Sequence, residues 1–456
     1  MSSTHRDAAA GPRRHLAVSH ALLMTLGMVI TTDILKTAPT VAQNVDAALF
    51  YPLWMLGGLL SMVGALCFAE MATAFPHPGG DYHFLRSAYG ARLGFLFAWS
   101  RFTVMHTGWI ALTAFLFADH LTTLLPLGAH GSGIVAASLI VVLAGVNLVG
   151  VRFSFLTQAA LVTLLTAGFV GIVGVGVWLQ AQAYVAPVVA APPPAGGIAG
   201  ASAAMIYVFL AFGGWSDAAT LSSEIRDGRR GMFIALTGSL AALLLIYVAV
   251  NWAFVRGLGF AGLAASEAPA VELLRRAFGA GGAWLIVFVV GVAAVSSIHS
   301  TLIVGARTTY AAARDVLALQ KLGRWDDSRG VPAHAVLAEA GVALLLVLFG
   351  SFAQSGFNAM VEYMTPVYWF FLCLSSLALI VLRVRRPEVA RPVKVPLYPV
   401  LPLLFAAVCL YMLYSSLAYV GYGALLGVGV LLAGVALLAR LMPRRPRAAA
   451  AAHEPL

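Results

Sequence analysis

The chain is dominated by long apolar runs that short polar segments separate. Runs of about twenty apolar residues match the length of a helix that crosses a hydrocarbon core of about 30 Å. The pattern predicts an all-α membrane protein with about twelve transmembrane helices and no soluble domain. The predicted spans are 16–42, 47–74, 94–118, 133–149, 155–179, 198–222, 232–255, 283–306, 335–353, 364–382, 396–420 and 421–439.

Two of these spans are interrupted by residues that disfavour a continuous apolar helix. The first contains TTDILKTAP, which brings Asp33 and Lys36 to membrane depth before Pro39. A charged side chain at that depth costs about 3 kcal/mol, so such groups usually face a partner, a cavity or a substrate. The sixth span contains FGGWSD, where Gly213 and Gly214 weaken the helix and the next polar residues can cap a new one.

Breaks in spans one and six predict two five-helix repeats related by a pseudo-two-fold axis in the membrane plane. Irregular backbone at membrane depth is tolerated only where it lines a protein cavity or water. Two facing breaks would therefore form a site near the midplane. The helix ends at such a site carry partial charges of about half an electron, which suit a small zwitterion or amine.

Composition excludes a soluble globular protein. The mean hydropathy is +0.90, and only 10% of the residues are charged, against about a quarter in soluble domains. The net charge of +10 follows the positive-inside bias, so we expect no nucleic-acid partner. We expect a multi-pass protein of the inner cell membrane with both termini in the cytoplasm. The basic residues of the outward loops are then little more than Arg256, Arg275 and Arg276.

The sequence gives no sign of processing, disulfide or cofactor chemistry. The first apolar stretch lacks a small-residue cleavage site, which argues against a signal peptide, and Cys67 and Cys373 lie within apolar spans. We find no metal-ligand spacing, phosphate-binding glycine loop or nucleophile elbow, so we expect no cofactor, no metal and no enzymatic activity. The predicted organisation is a cytoplasmic tail 1–15, a ten-helix core 16–382, a basic loop with two additional helices 383–441, and a cytoplasmic tail 442–456.

Several ordered motifs resemble those of the amino acid–polyamine–organocation (APC) transporters. The segment Ala65 to Gly90, ALCFAEMATAFPHPGGDYHFLRSAYG, is similar to the end of span two and the following loop in that family. FLAFGGWSDAATLSSEIRDGRR resembles its broken sixth helix. ARTTYAAARD, followed by GVPAHA, resembles the end of span eight and the entry to span nine. Together these matches cover most of residues 20–380.

The resemblance implies a secondary transporter with the five-plus-five, LeuT-like fold, working by alternating access. Substrate would lie between spans one, three, six and eight, against Phe212, Gly213, Gly214 and Trp215 in span six. The chain departs from the family at span one, where Thr31, Thr32 and Asp33 replace a glycine-flanked triplet whose amides hold a substrate carboxylate. Two like charges about 4 Å apart repel by roughly 4 kcal/mol at an effective dielectric of 20, so a carboxylate beside Asp33 is disfavoured.

Asp33 therefore has three interpretations. It could bind the ammonium group of an amine, it could carry the proton of a proton-coupled cycle, or it could form a fixed ion pair with Lys36 on the next turn. Lys36 could instead contact an anionic group of the substrate or extend to the outer interface.

Two histidines are further candidates for coupling or gating. His299 in span eight could shuttle protons, or it could be a hydrogen-bonded interior side chain. His106 in span three is a weaker candidate.

These observations predict a permease for amino acids or related organic amines, either proton-coupled or an exchanger, whose partners are a small solute and the lipid bilayer. The oligomeric state is left open. The alternative is a membrane nutrient sensor that keeps the same fold without transporting. Its weakness is that the tails are too short to hold a signalling domain.

Overall fold

The computed structural model describes residues 33–77, 79–149, 154–184, 186, 196–223, 225, 228–314, 319–326, 329–418 and 422–441, together with 18, 22, 25, 26 and 29. Within these ranges the regular structure is helical, apart from isolated β-bridge residues. The helices are α1 Asp33–Asn44, α2 Ala47–Ala74, α3 Asp81–Tyr89, α4 Ala91–Thr122, α5 Gly131–Val149, α6 Ser154–Ala181, α7 Gly197–Ala211, a 3₁₀ helix Trp215–Ser223, α8 Gly228–Leu258, α9 Phe260–Ala265, α10 Pro269–Phe278, α11 Ala280–Arg314, α12 Ala333–Gly350, α13 Gly356–Arg385, α14 Val400–Ala418 and α15 Tyr422–Leu441.

Eleven helices in the described residues are long and apolar enough to cross a membrane. They correspond one for one to the second to twelfth spans that the hydrophobic pattern predicts. Most of the first predicted span, before Asp33, lies outside the described residues. The prediction of a five-plus-five repeat with broken first and sixth helices stays a prediction.

The predicted interruption of span one is wrong for residues 33–39. Helix α1 runs without a break from Asp33 to Asn44 and contains Pro39. Proline inside a helix costs about 3 kcal/mol, because it removes a hydrogen bond and its ring crowds the preceding turn. Here Ile34, Leu35 and Ala38 are fully buried, and α1 packs against α7 and α9. Tertiary packing of this kind outweighs local helix propensity.

The outer faces of the long helices carry large apolar side chains. Water would oppose such exposure, whereas a hydrocarbon core accepts it. The exposed side chains include Ile134, Val170, Leu245, Leu345 and Leu432. The faces that meet inside the bundle are closely packed, as in the cluster of Trp54, Phe212 and Tyr247, whose ring centroids lie 5.3 to 6.1 Å apart.

Helices α4, α11 and α13 and the 3₁₀ helix surround the region that concerns function. Helix α4 packs against α11, α12 and α13, and the 3₁₀ helix packs against α2, α3 and α8. Helix α4 is irregular, because residues Arg101–Met105 form one π-helical turn between two α-helical parts. Such turns are rare and are frequent at functional sites, since they shift the direction of the side chains that follow.

A buried carboxylate connects the ends of α2 and α13. Glu70 is fully buried and accepts hydrogen bonds from Nε of Arg383 and from the backbone N–H of Val395, both at 2.7 Å. Nε of Arg391 lies 3.5 Å from Oε1 of Glu70. Glu70 therefore holds two cations and the loop after α13 against the bundle.

Replacing Glu70 by Gln should destabilise the fold by about 3 kcal/mol or more, because two buried or half-buried arginines lose their counter-charge. The measurement is the apparent melting temperature of the detergent-solubilised protein. Glu388→Gln is the matched control, since Glu388 follows α13 but is exposed. Equal melting temperatures for the two variants would contradict a structural role for Glu70.

Candidate functional site

The backbone turns sharply between α7 and the 3₁₀ helix. Helix α7 ends at Ala211, residues 212–214 form a turn, and the 3₁₀ helix begins at Trp215. Gly214 has a φ of +85°, a conformation that residues with a Cβ rarely adopt. The N–H groups of Phe212 and Gly213 donate hydrogen bonds to carbonyls in the last turn of α7. The first N–H groups of the 3₁₀ helix have no partner within their own helix.

A cavity of about 50 Å³ lies beside this turn. It is enclosed by the 3₁₀ helix and by the middle parts of α4, α11 and α13. Its lining combines charged, hydroxyl, aromatic and thioether side chains. The lining residues are Arg101, Met105, His106, Trp109, Gly214, Ser216, Asp217, Ser300, Thr301, Val304, Met364 and Tyr368.

Three charged or titratable side chains meet at the cavity wall. Arg101 pairs with the carboxylate of Asp217 through Nη2 and Oδ1. Nε2 of His106 lies 3.4 Å from Oδ2 of the same carboxylate. Arg101 and His106 are buried, and they flank the π-helical turn, so that turn aims both side chains at the 3₁₀ helix. The wall therefore presents positive and negative groups a few ångströms apart.

Arg101 also connects the cavity to α3. Its Nη1 lies 3.9 Å from Oδ2 of Asp81, the first residue of α3. Burial raises the pKa of the Asp81 carboxyl to about 7, while the Arg101 guanidinium opposes that rise and the Asp217 carboxylate adds to it. One guanidinium is thus shared between two carboxylates that lie on different elements.

Two aromatic side chains complete the lining. Nε1 of Trp109 donates a hydrogen bond to Oγ of Ser297 at 3.2 Å, which fixes the indole between α4 and α11. Tyr368 of α13 closes another side of the cavity. Aromatic walls with a few polar groups are typical of sites for small organic molecules.

Comparison with known proteins identifies the family. A model of the family described as amino acid permease matches residues 16–433. The chain belongs to this family. The match confirms the resemblance to APC transporters that the motifs indicate, and the chain is a membrane protein.

The chain is similar over most of its length to animal members. It is 26% identical to the human b(0,+)-type amino acid transporter 1 over 415 residues, which is 89% of this chain and 83% of that protein. It is 26% identical to the mouse large neutral amino acids transporter small subunit 2 over 439 residues, which is 93% of this chain and 80% of that protein.

The structure of this permease-family chain describes only some residues of the predicted span-one site. Thr31 and Thr32 lie outside the described residues. Asp33 is fully buried in the first turn of α1 but is not among the residues that line the cavity. Lys36 forms a salt bridge with Asp119 at the far end of α4, with Nζ 2.9 Å from Oδ2, and also lies over the ring of Phe357.

The span-six residues divide into two groups. Gly214 lines the cavity, and a Cβ on Gly213 would lie 3.3 Å from the Trp109 ring that also lines it. Phe212 instead packs against Trp54 and Tyr247, and Trp215 packs edge-on against Phe68 at 5.1 Å. Neither aromatic side chain lines the described cavity, so their predicted contact with substrate stays a prediction.

The two histidines also differ. His106 lines the cavity and faces Asp217. His299 is buried in α11, and the cavity wall is formed by the next two residues, Ser300 and Thr301.

Sequence reasoning did not assign Arg101, Asp217 or Glu339 to a site. Each is an ionisable residue within an apolar span, which is the signal that drew attention to Asp33. The sequence assigns the polar residues after Gly214, which include Asp217, only a role in capping a helix. Within the described part of the chain, no three His, Cys, Asp or Glu side chains are grouped so that they could hold a metal ion.

The raised pKa of Asp81 predicts a specific pH dependence of stability. An unfolded aspartate has a pKa near 3.9, so between about pH 4 and 7 the folded chain binds more protons at this position than the unfolded chain. The contribution of Asp81 to the free energy of unfolding therefore falls as the pH rises through that range.

Asp81→Asn cannot titrate, so its apparent melting temperature relative to the wild type should rise between pH 5 and pH 7 and then level off. Thermal unfolding in detergent across this range measures the difference. Asp46→Asn is the control, because Asp46 is exposed. Parallel pH profiles for Asp81→Asn and the wild type would contradict the prediction.

Proposed function

We propose that the chain is a secondary active permease that carries amino acids across the membrane by alternating access, with the substrate held in the cavity beside Gly214. The observation that carries the proposal is the cavity itself: opposite charges and the first turn of the 3₁₀ helix surround one small space within a bundle of membrane helices. The names of the similar proteins, which describe amino acid transporters, support the same substrate class.

The cavity offers both ends of an amino acid a complementary group. The first N–H groups of the 3₁₀ helix, at Trp215 and Ser216, carry the positive end of a helix dipole and suit a carboxylate. The Asp217 carboxylate at the cavity wall suits an ammonium group. Arg101 and Asp217 supply charges of each sign beside these backbone groups. The substrate side chain would then lie against Trp109 and Tyr368.

Two ion pairs on α4 are suited to act as gates. Asp81 and Arg101 close one side of the cavity, and Lys36 and Asp119 connect α1 with α4 at the other end. Arg101 and Asp119 are 18 positions apart, a distance of about 27 Å along a helix, which approaches the thickness of the hydrocarbon core. In an alternating-access cycle, the two pairs would open in turn.

Orientation follows from the distribution of basic residues. The loops at the α3 end are rich in arginine, so we propose that this end faces the cytoplasm, with both chain termini on that side of the cell membrane. The Asp81–Arg101 pair is then the inner gate and the Lys36–Asp119 pair the outer gate. Exchange and proton coupling are the two modes of energy supply that the sequence leaves open.

The alternatives that the sequence raised find less support. The sensor hypothesis gains nothing from the comparisons, in which the similar proteins are named as transporters. Selective amine binding at Asp33 requires that residue to face the substrate, whereas the described cavity has Asp217 and Arg101 on its wall.

Asp217→Asn should reduce uptake of radiolabelled L-leucine and L-alanine into proteoliposomes by at least about tenfold, because a charge-assisted hydrogen bond contributes about 1.5–3 kcal/mol. Asp46→Asn is the matched control, as Asp46 is exposed and remote from the cavity lining. Full uptake by Asp217→Asn would contradict the proposed site. Wild-type liposomes that accumulate putrescine but neither amino acid would overturn the substrate class in favour of amines.

A further inference from the structure

A second carboxyl group reaches the cavity cluster from the side opposite Asp217. Glu339 lies in α12 and is fully buried. A methyl group on Gly305 of α11 would lie 2.5 Å from Oε2 of Glu339 and 2.5 Å from Nδ1 of His106. The two atoms are therefore within about 5 Å of each other, on either side of a glycine that leaves the space between them free of a side chain.

Both atoms are buried, and neither has a hydrogen-bond partner within the described part of the chain. The other carboxyl oxygen of Glu339 accepts a hydrogen bond from Oγ1 of Thr309 at 3.2 Å. Buried polar atoms are normally paired, because leaving one unpaired costs about 1–3 kcal/mol. A carboxyl oxygen and an imidazole nitrogen can satisfy one another only if a proton lies between them, directly or through a water molecule.

We propose that Glu339 and His106 form the proton-binding site that couples transport to a pH gradient. The proposal rests on the proposed function of the cavity and adds to it the residues that would supply the energy. The proposal also explains why an ionisable side chain, Glu339, lies within an apolar helix.

The imidazole connects this proton to the substrate cavity. A proton passed from the Glu339 carboxyl group to Nδ1 of His106 converts the ring to imidazolium and leaves a carboxylate behind. The ring then presents a full positive charge to Asp217 through Nε2, in competition with Arg101. The Arg101 guanidinium, less strongly held by Asp217, becomes available to a substrate carboxylate. Loss of the Nε2 proton to the opposite side of the membrane leaves a neutral ring with its proton on Nδ1. Movement of that proton to Nε2 and uptake of a new proton by the Glu339 carboxylate from the first side restore the starting state.

The neighbouring helices define the charges that this site experiences. From α4 it faces Arg101, whose charge acts on Glu339, and beyond His106 lies Asp217, with Asp81 on the far side of Arg101. Helix α11 contributes the Thr309 hydroxyl, and α13 contributes Tyr368 at the cavity wall. Helix α5, which also packs against α12, contains no titratable side chain.

The test uses Glu339→Gln, which keeps the side-chain shape but cannot release a proton. In proteoliposomes, an acid-outside gradient should stimulate uptake of L-leucine and L-alanine by the wild type, and the variant should lose that stimulation. Exchange of the same amino acids at equal pH on both sides should persist, because exchange requires no net proton movement. Glu362→Gln, a change in a glutamate of α13 that is absent from the cavity lining, should respond to the gradient like the wild type.

Infrared spectroscopy of the purified proteins provides a readout that does not depend on transport. The carbonyl bands of protonated carboxylic acids should include a component that changes on titration, is lost in Glu339→Gln and persists in Glu362→Gln. Asp81→Asn identifies the separate contribution of the Asp81 carboxyl group. Undiminished gradient-driven uptake by Glu339→Gln, or a wild type insensitive to the gradient, would overturn the proposal. If the wild type carries neither amino acid, the proposed function fails, and the infrared spectra alone decide. Loss of a carbonyl component in Glu339→Gln that Asp81→Asn retains supports the proton site, and identical spectra for Glu339→Gln and the wild type refute it.

Discussion

The arrangement around the cavity depends on one buried cation, the guanidinium of Arg101. It is 2% exposed, and the effective cost of burying such a charge without partners is several kcal/mol. Asp217, Asp81 and the ring of Phe97, whose centroid lies 5.5 Å from Cζ, surround it. At an effective dielectric of 20, an ionised carboxylate about 4 Å away offsets roughly 4 kcal/mol, and Asp81 contributes in this way only when it has lost its proton. The positions of α3 and of the 3₁₀ helix are tied to α4 through this group.

Two local irregularities in the backbone make that arrangement possible. The π-helical turn Arg101–Met105 redirects α4 so that Arg101 and His106 point the same way, although five positions separate them and an ideal helix would place them about 140° apart. The positive φ of Gly214 ends α7 early enough for Asp217 to enter from the opposite wall. A regular helix in either place would separate the charges and leave Arg101 without its partner.

The hydrophobic pattern predicted which segments cross the membrane but not which side chains meet inside the bundle. Eleven spans agree with the structure because run length and apolar content are local properties. Which face of α4 or α12 turns inward depends on packing and on the π-helical turn, and neither has a local signature. Arg101 and Glu339 were therefore missed, while the conspicuous Lys36 pairs with Asp119. For the same reason the sequence does not indicate that the ring of Trp215 turns towards Phe68.

The charges of the cluster explain why a proton and an amino acid suit the same cavity. Arg101 and Asp217 cancel, so a zwitterion, which has no net charge, can enter without leaving a net charge in the low-dielectric interior. When Asp81 ionises, the cluster gains a negative charge that a proton on His106 would balance. Substrate acts on Arg101 directly, and the proton acts on it through His106 and Asp217. Because both ligands act on Arg101, this residue can couple them. A ligand shifts a conformational equilibrium only through contacts that differ between its states.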